Sequence, residues 1–201
     1  MLRIGIYGGT FSPPHNGHVA AARAFMEQMW LDLLYVIPTA EPPHKEMEHP
    51  VEAEHRLHMC RAAFGGIEGV YVSDMEIRRG GRSYTVDTLR ELWGEDRRLF
   101  MLCGTDMMLT LDQWNAAEEI FRLCYPVYVR REASDPILDA RIINKIKFYQ
   151  ETYGKVVRRI VTEPIAISST AIRRASASGE PIDAWVPSTV EKYIRDHHLY
   201  V

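Results

Sequence analysis

The 201-residue sequence predicts an α/β fold: a doubly wound, mainly parallel sheet with helices on both faces and a small helical C-terminal part. Two observations carry this. Six short runs rich in β-branched or aromatic residues recur along the chain, and amphipathic stretches at helical spacing separate them. Beyond the last run only helix-start patterns follow.

The first run, "RIGIY" at 3–7, is expected to be a strand ending at Tyr7, with a helix starting near Gly17 or His18 and reaching residue 29. "LLYVIP" (33–38) is the second strand. Residues 51–64 place Leu57, Cys60 and Phe64 on one helical face. "VYVS" (70–73) is the third strand, 85–93 a helix, "LFMLCG" (99–104) the fourth strand and "YPVYVR" (125–130) the fifth. Residues 136–149 set Leu138, Ile142, Ile146 and Tyr149 in one stripe, and "VRRIVTE" (157–163) is the sixth strand. The tail "STVEKYIRDHH" opens with Ser188 and Glu191 in capping-box spacing. The alternation describes a Rossmann-like sheet, which binds ligands beyond the carboxyl ends of its strands. No internal repeat or linker interrupts it, so residues 1–201 read as one domain whose helical C-terminal part spans about 166–201.

Composition narrows the function. With 46% hydrophobic and 25% charged residues the chain can bury a full core. No run approaches the ~20 apolar residues of a membrane span, and "MLRIGIYGG" lacks a signal peptide's apolar stretch. A cytoplasmic protein with no membrane partner is expected. A net charge of −3 argues against nucleic acid as a partner, so an anionic ligand must be met by local positive groups. Cys60, Cys103 and Cys124 are far apart, form no CxxC pair and read as reduced core residues.

The chemistry concentrates in "YGGTFSPPHNGH", residues 7–18. Gly8 and Gly9 would lie at the mouth of the crevice, where the backbone can approach phosphate oxygens without a Cβ in the way. Pro13 and Pro14 stiffen the approach, and His15 and His18 can aim at the same oxygens from a helix N-terminus whose dipole favours anions. The result describes a phosphate cradle. A dinucleotide fingerprint (G-x-G-x-x-G) and a P-loop are both absent. A metal pair lacks a nearby cysteine or carboxylate; the plainer alternative is two histidines that only satisfy backbone groups. "ISSTAIRR" (167–174) describes a second helix start, with Ser168, Ser169 and Thr170 as cap candidates and Arg173 one turn in. A cap alone explains the hydroxyls, whereas a guanidinium fork also matches phosphate.

Together, "GGTFSPPHNGH" and "ISSTAIR" resemble the paired signature of the HxGH nucleotidyltransferase superfamily. Within it, "IPTAEPPHK", "HRLHM", "RSYTVDTL" and "GTDMMLTLDQW" resemble the bacterial nicotinate-nucleotide adenylyltransferases, and the similarity covers essentially the whole chain. Relatives commonly carry Asp where this chain has Ser12. The resemblance implies adenylyl transfer from ATP to nicotinate mononucleotide, giving nicotinate adenine dinucleotide and pyrophosphate in NAD biosynthesis; the alternative is a relative preferring nicotinamide mononucleotide or another phosphate acceptor. It implies that His18 contacts the α-phosphate, that His15, Ser169 and Arg173 hold the triphosphate, and that Thr10 adds a hydroxyl contact. His15, His18 and Arg173 are thus the catalytic candidates, and Gly8, Gly9, Thr10, Gly104, Asp106, Ser168, Ser169 and Thr170 the ATP-binding ones. Mg2+ would accompany ATP on phosphate oxygens and water, without a dedicated protein site. A homo-oligomer is possible.

The acceptor end is expected around Lys45, Tyr84, Thr85 and Trp114. Asp106, behind the fourth strand, can bond ribose hydroxyls or cap a helix. Trp114 can stack on a pyridine ring or pack in the core. The N–H groups of a helix starting near Thr85 would prefer a pyridine carboxylate to an amide. Lys45 adds positive potential near the acceptor or is an ordinary surface lysine.

Overall fold

The structure, a computed structural model, describes residues 1–41, 51–130, 132, 135–162 and 167–201. All six expected strands form, as β1 (Leu2–Gly9), β2 (Leu33–Pro38), β3 (Val70–Val72), β4 (Arg97–Gly104), β5 (Cys124–Val129) and β6 (Arg158–Ile160). They make one sheet in the order β3-β2-β1-β4-β5-β6, parallel at every pairing. The chain winds outward from β1 to β3 and then returns to β4 on the other side of β1. The crossovers therefore diverge between β1 and β4, opening a crevice at their carboxyl ends.

The helices are α1 (Asn16–Gln28), α2 (Ala53–Phe64), α3 (Met75–Arg79), α4 (Thr85–Leu92), α5 (Thr105–Leu109), α6 (Ala117–Leu123), α7 (Pro136–Tyr153), α8 (Ser169–Ala177) and α9 (Ser188–Asp196). Strand periodicity divides the core between the two faces of the sheet. Ile4, Ile6, Leu99 and Met101 join Leu89 of α4, Phe121 of α6 and Tyr149 of α7. Tyr7, Phe100 and Leu102 join Phe25 of α1 and Phe64 of α2. Gly5 makes the second packing possible, since a Cβ there would meet Leu31 at 2.5 Å and Leu34 at 2.8 Å. A third cluster sets Ile172 of α8 and Val190 and Ile194 of α9 against Met59 of α2. The predicted α7 stripe is borne out: Ile142 and Tyr149 are buried, and Leu138 and Ile146 pack against the same core. The three cysteines are buried and free.

Several boundaries differ from expectation. β1 continues through Gly8 and Gly9, because β2 supplies ladder partners at Ile37 and Pro38; the glycines are the end of a strand rather than the loop after it. α1 begins at Asn16, with His15 as its N-cap. Ser188 is the first helical residue of α9, not its cap; Pro187 occupies that position, so the capping box does not form and Glu191 pairs with Arg195 at 3.5 Å instead. The helices α3, α5 and α6, five to seven residues long, are too short to display a period. Among the described residues no helix is long and apolar enough to cross a membrane.

Candidate active site

At the carboxyl ends of β1 and β4 lies a cleft of about 540 Å³, within the range of small-ligand sites. It brings together residues scattered over the sequence: Gly8, Gly9 and Thr10 after β1, Gly104 and Asp106 after β4, and His18, Tyr84, Thr85 and Trp114 from the surrounding helices and turns. A Cβ on Gly8 or on Gly104 would meet nothing within 4 Å, so both glycines border open space.

His18 occupies the third position of α1 and points back over its own first turn, as long helical side chains do. Its Nδ1 accepts the His15 backbone N–H at 3.2 Å. In the neutral ring this places the proton on Nε2, which makes that nitrogen a donor. The ring is held edge-on by Phe11 at 5.1 Å. Phe11 itself adopts a left-handed backbone (φ 48°), a conformation sustained by contacts with Tyr7 and Phe64. His15 does not line the cleft: it is 1% exposed and stacks behind His18, with ring centroids 3.7 Å apart. One N–H of the α1 start is already used, since Asn16 donates to the Trp185 carbonyl at 2.9 Å.

The second motif docks onto the first. Ser169 Oγ donates to the Pro13 carbonyl at 2.9 Å, and Arg173 Nη1 donates to the Ser12 carbonyl at 2.9 Å. Arg173 Nη2 reaches Thr170 Oγ1 at 3.2 Å, and both residues line a second cavity of about 790 Å³ with His55 and Tyr200 rather than the cleft itself. Ser168 is the α8 N-cap, accepting from the Ala171 N–H at 3.1 Å, so the cap explanation accounts for that hydroxyl. Ser12, the departure from the common Asp, is buried with its Oγ bonded to Tyr200 Oη at 2.9 Å. Burial pushes the Tyr200 phenol up to about 12.

Three groups escaped the sequence reading. Arg56 of α2 is 1% exposed and donates to three backbone carbonyls: Thr10 at 3.0 Å, Ala40 at 2.9 Å and Val51 at 3.2 Å. Burial pulls its guanidinium below the ordinary value, partly offset by Cys60 and Tyr200. Its signal was an arginine four residues before Cys60, on the apolar stripe of a helix. Thr105, buried at the β4 end, donates to Glu132 Oε2 at 2.8 Å. Glu76 of α3 is buried in the cleft wall near Thr85, and burial raises its carboxyl above the ordinary range. No periodicity marked either of these.

Where the acceptor end is expected, α4 starts at Thr85, with Tyr84 as an N-cap that supplies no side-chain bond. A cleft ligand therefore faces a helix start with no side-chain cap. Trp114 is half-buried, touching the core on one side and lining the cleft on the other, so its packing and stacking readings coexist. Asp106 is exposed in the first turn of α5, whose N-cap is Gly104; it does not cap that helix. Lys45 lies outside the described residues. Among the described residues no group of three or more His, Cys, Asp or Glu comes together to hold a metal.

The cytidylyltransferase-like family model matches residues 6–175. A chain from Thermoanaerobacter sp. (strain X514), described as a probable nicotinate-nucleotide adenylyltransferase, is 36% identical over 99% of this chain and 94% of its own. One so described from Geobacter sp. (strain M21) is 36% identical over 100% and 99%. The solved structure of Plasmodium falciparum nicotinic acid mononucleotide adenylyltransferase complexed with NaAD superposes with a TM-score of 0.78 at 19% identity, covering 100% of this chain and 98% of that one, a likeness of fold. A model match over most of the chain, and relatives aligned along nearly all of it, show that this chain belongs to the cytidylyltransferase-like family, among the nicotinate-nucleotide adenylyltransferases.

Proposed function

We propose that this chain transfers the adenylyl group of ATP to nicotinate mononucleotide, releasing pyrophosphate and forming nicotinate adenine dinucleotide. The observation that carries it is the single cleft that joins a glycine-lined strand end with His18 to an uncapped helix start and an indole. The nucleophile is the mononucleotide's own phosphate oxygen, already anionic, so no activating base is required. That oxygen bonds to the α-phosphorus while the bond to the bridging oxygen of the β-phosphate breaks. What the protein supplies is alignment and charge stabilisation.

In this reading His18 Nε2–H donates to the α-phosphate oxygens as charge builds on them. Gly8, Gly9 and Thr10 line the phosphate path, and His15 supports His18 from behind. Ser169 and Arg173 hold the triphosphate from the α8 side, where both are bonded to the loop backbone at Ser12 and Pro13; Ser168 and Thr170 complete that helix start. Asp106 and Gly104 meet the adenylate ribose at the end of β4. Mg2+ accompanying ATP would be held by phosphate oxygens and water rather than by side chains, and would supply charge neutralisation at the leaving pyrophosphate. Trp114 stacks on the pyridine, and the N–H groups of the α4 start near Tyr84 and Thr85 bind the ring carboxylate.

One observation favours a second acceptor: an ionised Glu76 in the same wall would accept from the amide of nicotinamide mononucleotide. Pyrophosphate release measured with ATP and each mononucleotide in turn tests both readings. Faster turnover of the nicotinate form is expected, and no release with either would overturn the assignment.

A further inference from the structure

Glu76 is unused by the phosphate chemistry. It is 5% exposed, in the wall it shares with Tyr84, Thr85 and Thr88. Oε1 accepts from Thr88 Oγ1 at 2.6 Å. Oε2 is enclosed and, among the described residues, receives no hydrogen bond of normal geometry. Ser83 Oγ accepts from the Ala40 N–H and keeps its own O–H, which is near enough to favour the charged form of Glu76, but no bond of ordinary distance and angle joins it to Oε2.

Among the described residues no charged group serves Glu76 as a dedicated counter-ion. Arg79 reaches Thr88 Oγ1 at 3.2 Å but is itself paired with Glu91 at 2.8 Å. Across the cleft stand Asp106 and Glu132, both acidic, together with His18 and Cys103. Burial raises the Glu76 carboxyl, Thr88, Ser83 and Arg79 each lower it by less, and Glu91 makes the smallest contribution, upward. An enclosed oxygen with no partner is costly until a ligand completes it.

The chemistry of that ligand follows from the two protonation states. Ionised, Oε2 only accepts and suits an amide N–H. Protonated, it donates and suits a carboxylate. The neighbouring α4 start favours an anion, and an anion beside an ionised Glu76 would be repelled in an enclosed site. Both preferences agree only when the carboxyl is neutral. We propose that Glu76 is a specificity-determining residue at the ring end of the cleft: it takes a proton from solvent as nicotinate mononucleotide binds and donates it in a hydrogen bond to the ligand's carboxylate. No covalent bond of the ligand changes; one proton passes from buffer to Oε2. The proposal rests on the acceptor reading given above.

Calorimetric titration with each mononucleotide, in buffers of different ionisation heat, tests it. Both ligands carry the same phosphate, so the difference in proton uptake between them reports the ring end. The wild-type chain should take up more protons with the nicotinate form, a measurement that needs no variant to fold. The difference should vanish in Glu76→Gln. The wild-type preference for nicotinate over nicotinamide mononucleotide in kcat/KM should fall about tenfold as the carboxyl ionises with rising pH, while Glu76→Gln should show a flat profile. Equal uptake for the two ligands in the wild type, or a preference in Glu76→Gln that still falls with pH, would overturn the role of Glu76 and leave the adenylyl-transfer reading standing. Failure of both mononucleotides to turn over would remove that reading and the proposal with it.

Discussion

His18 combines two constraints that a short motif can encode. The i, i+3 spacing of "HNGH" lets its Nδ1 accept the His15 N–H, and that bond sets which nitrogen donates. His18→Ala removes a donor whose partner charge develops fully only in the transition state. We expect kcat to fall by roughly 10²–10³ with little change in either KM. Steady-state kinetics within about threefold of wild type would take His18 out of the mechanism. The histidine pair was legible in the sequence as a pair, but its division of labour was not. That His15 is buried behind His18 depends on Phe11 and on Trp185, which lies 170 positions away and bonds Asn16.

At the scale of elements, the start of α4 and the turn carrying Trp114 line the same cleft, at the end proposed for the acceptor. Trp114→Ala should weaken the mononucleotide by about 1–3 kcal/mol, the range for base–aromatic stacking, and leave ATP binding nearly intact. A ring face does not distinguish acid from amide, so both acceptors should lose equally. Thr85→Pro deletes one N–H at the α4 start and should erode the preference for the acid more than it harms ATP use. Circular dichroism and ATP affinity in the same variant separate this from a damaged helix. If Trp114→Ala instead weakened ATP and spared the mononucleotide, the two subsites would be reversed. The inner strands were readable because burial on both faces makes them near-continuous apolar runs, and the edge strands β3 and β6 by their short β-branched and aromatic stretches. The α9 capping box was misread because Ser188 and Glu191 have the right spacing one position too far into the helix, a distinction made by Pro187 and the backbone rather than by composition.

Across the whole molecule, Arg56 ties the phosphate loop at Thr10 to Ala40 and Val51, and Ala40 in turn donates to Ser83 just before α4. The two ends of the cleft thus share one buried support. Arg56→Met strands three carbonyls, offset in part by the relief of burying a cation, and should cost about 2–4 kcal/mol in urea unfolding. A change below about 0.5 kcal/mol would show that the carbonyls find other partners. The cysteines report the same integrity. Burial pushes Cys103 up to about 12 and holds Cys60 and Cys124 higher still. Thiol reagents should therefore label Cys60 and Cys124 only on unfolding, and Cys103, 8% exposed in the cleft lining, slowly before it; rapid labelling of Cys60 or Cys124 under native conditions would mean that the core around them opens locally.

The sequence by itself determined the α/β alternation, the placement of a phosphate-suited loop behind the first strand and the presence of a second, hydroxyl-rich helix start near the C-terminus. Each of these is local, written in a period of two or 3.6 residues or in the glycines, prolines and hydroxyls of a turn. Tertiary structure alone decided that Gly8 and Gly9 stay in the ladder, because β2 lies beside them. It alone placed α8 against Ser12 and Pro13, some 160 residues apart in sequence, and set Glu76 in a wall that, among the described residues, offers it no dedicated counter-ion. Those features are contacts between elements whose separation along the chain carries no pattern, and they exist only once the crossovers bring the carboxyl ends of β1 and β4 to one crevice.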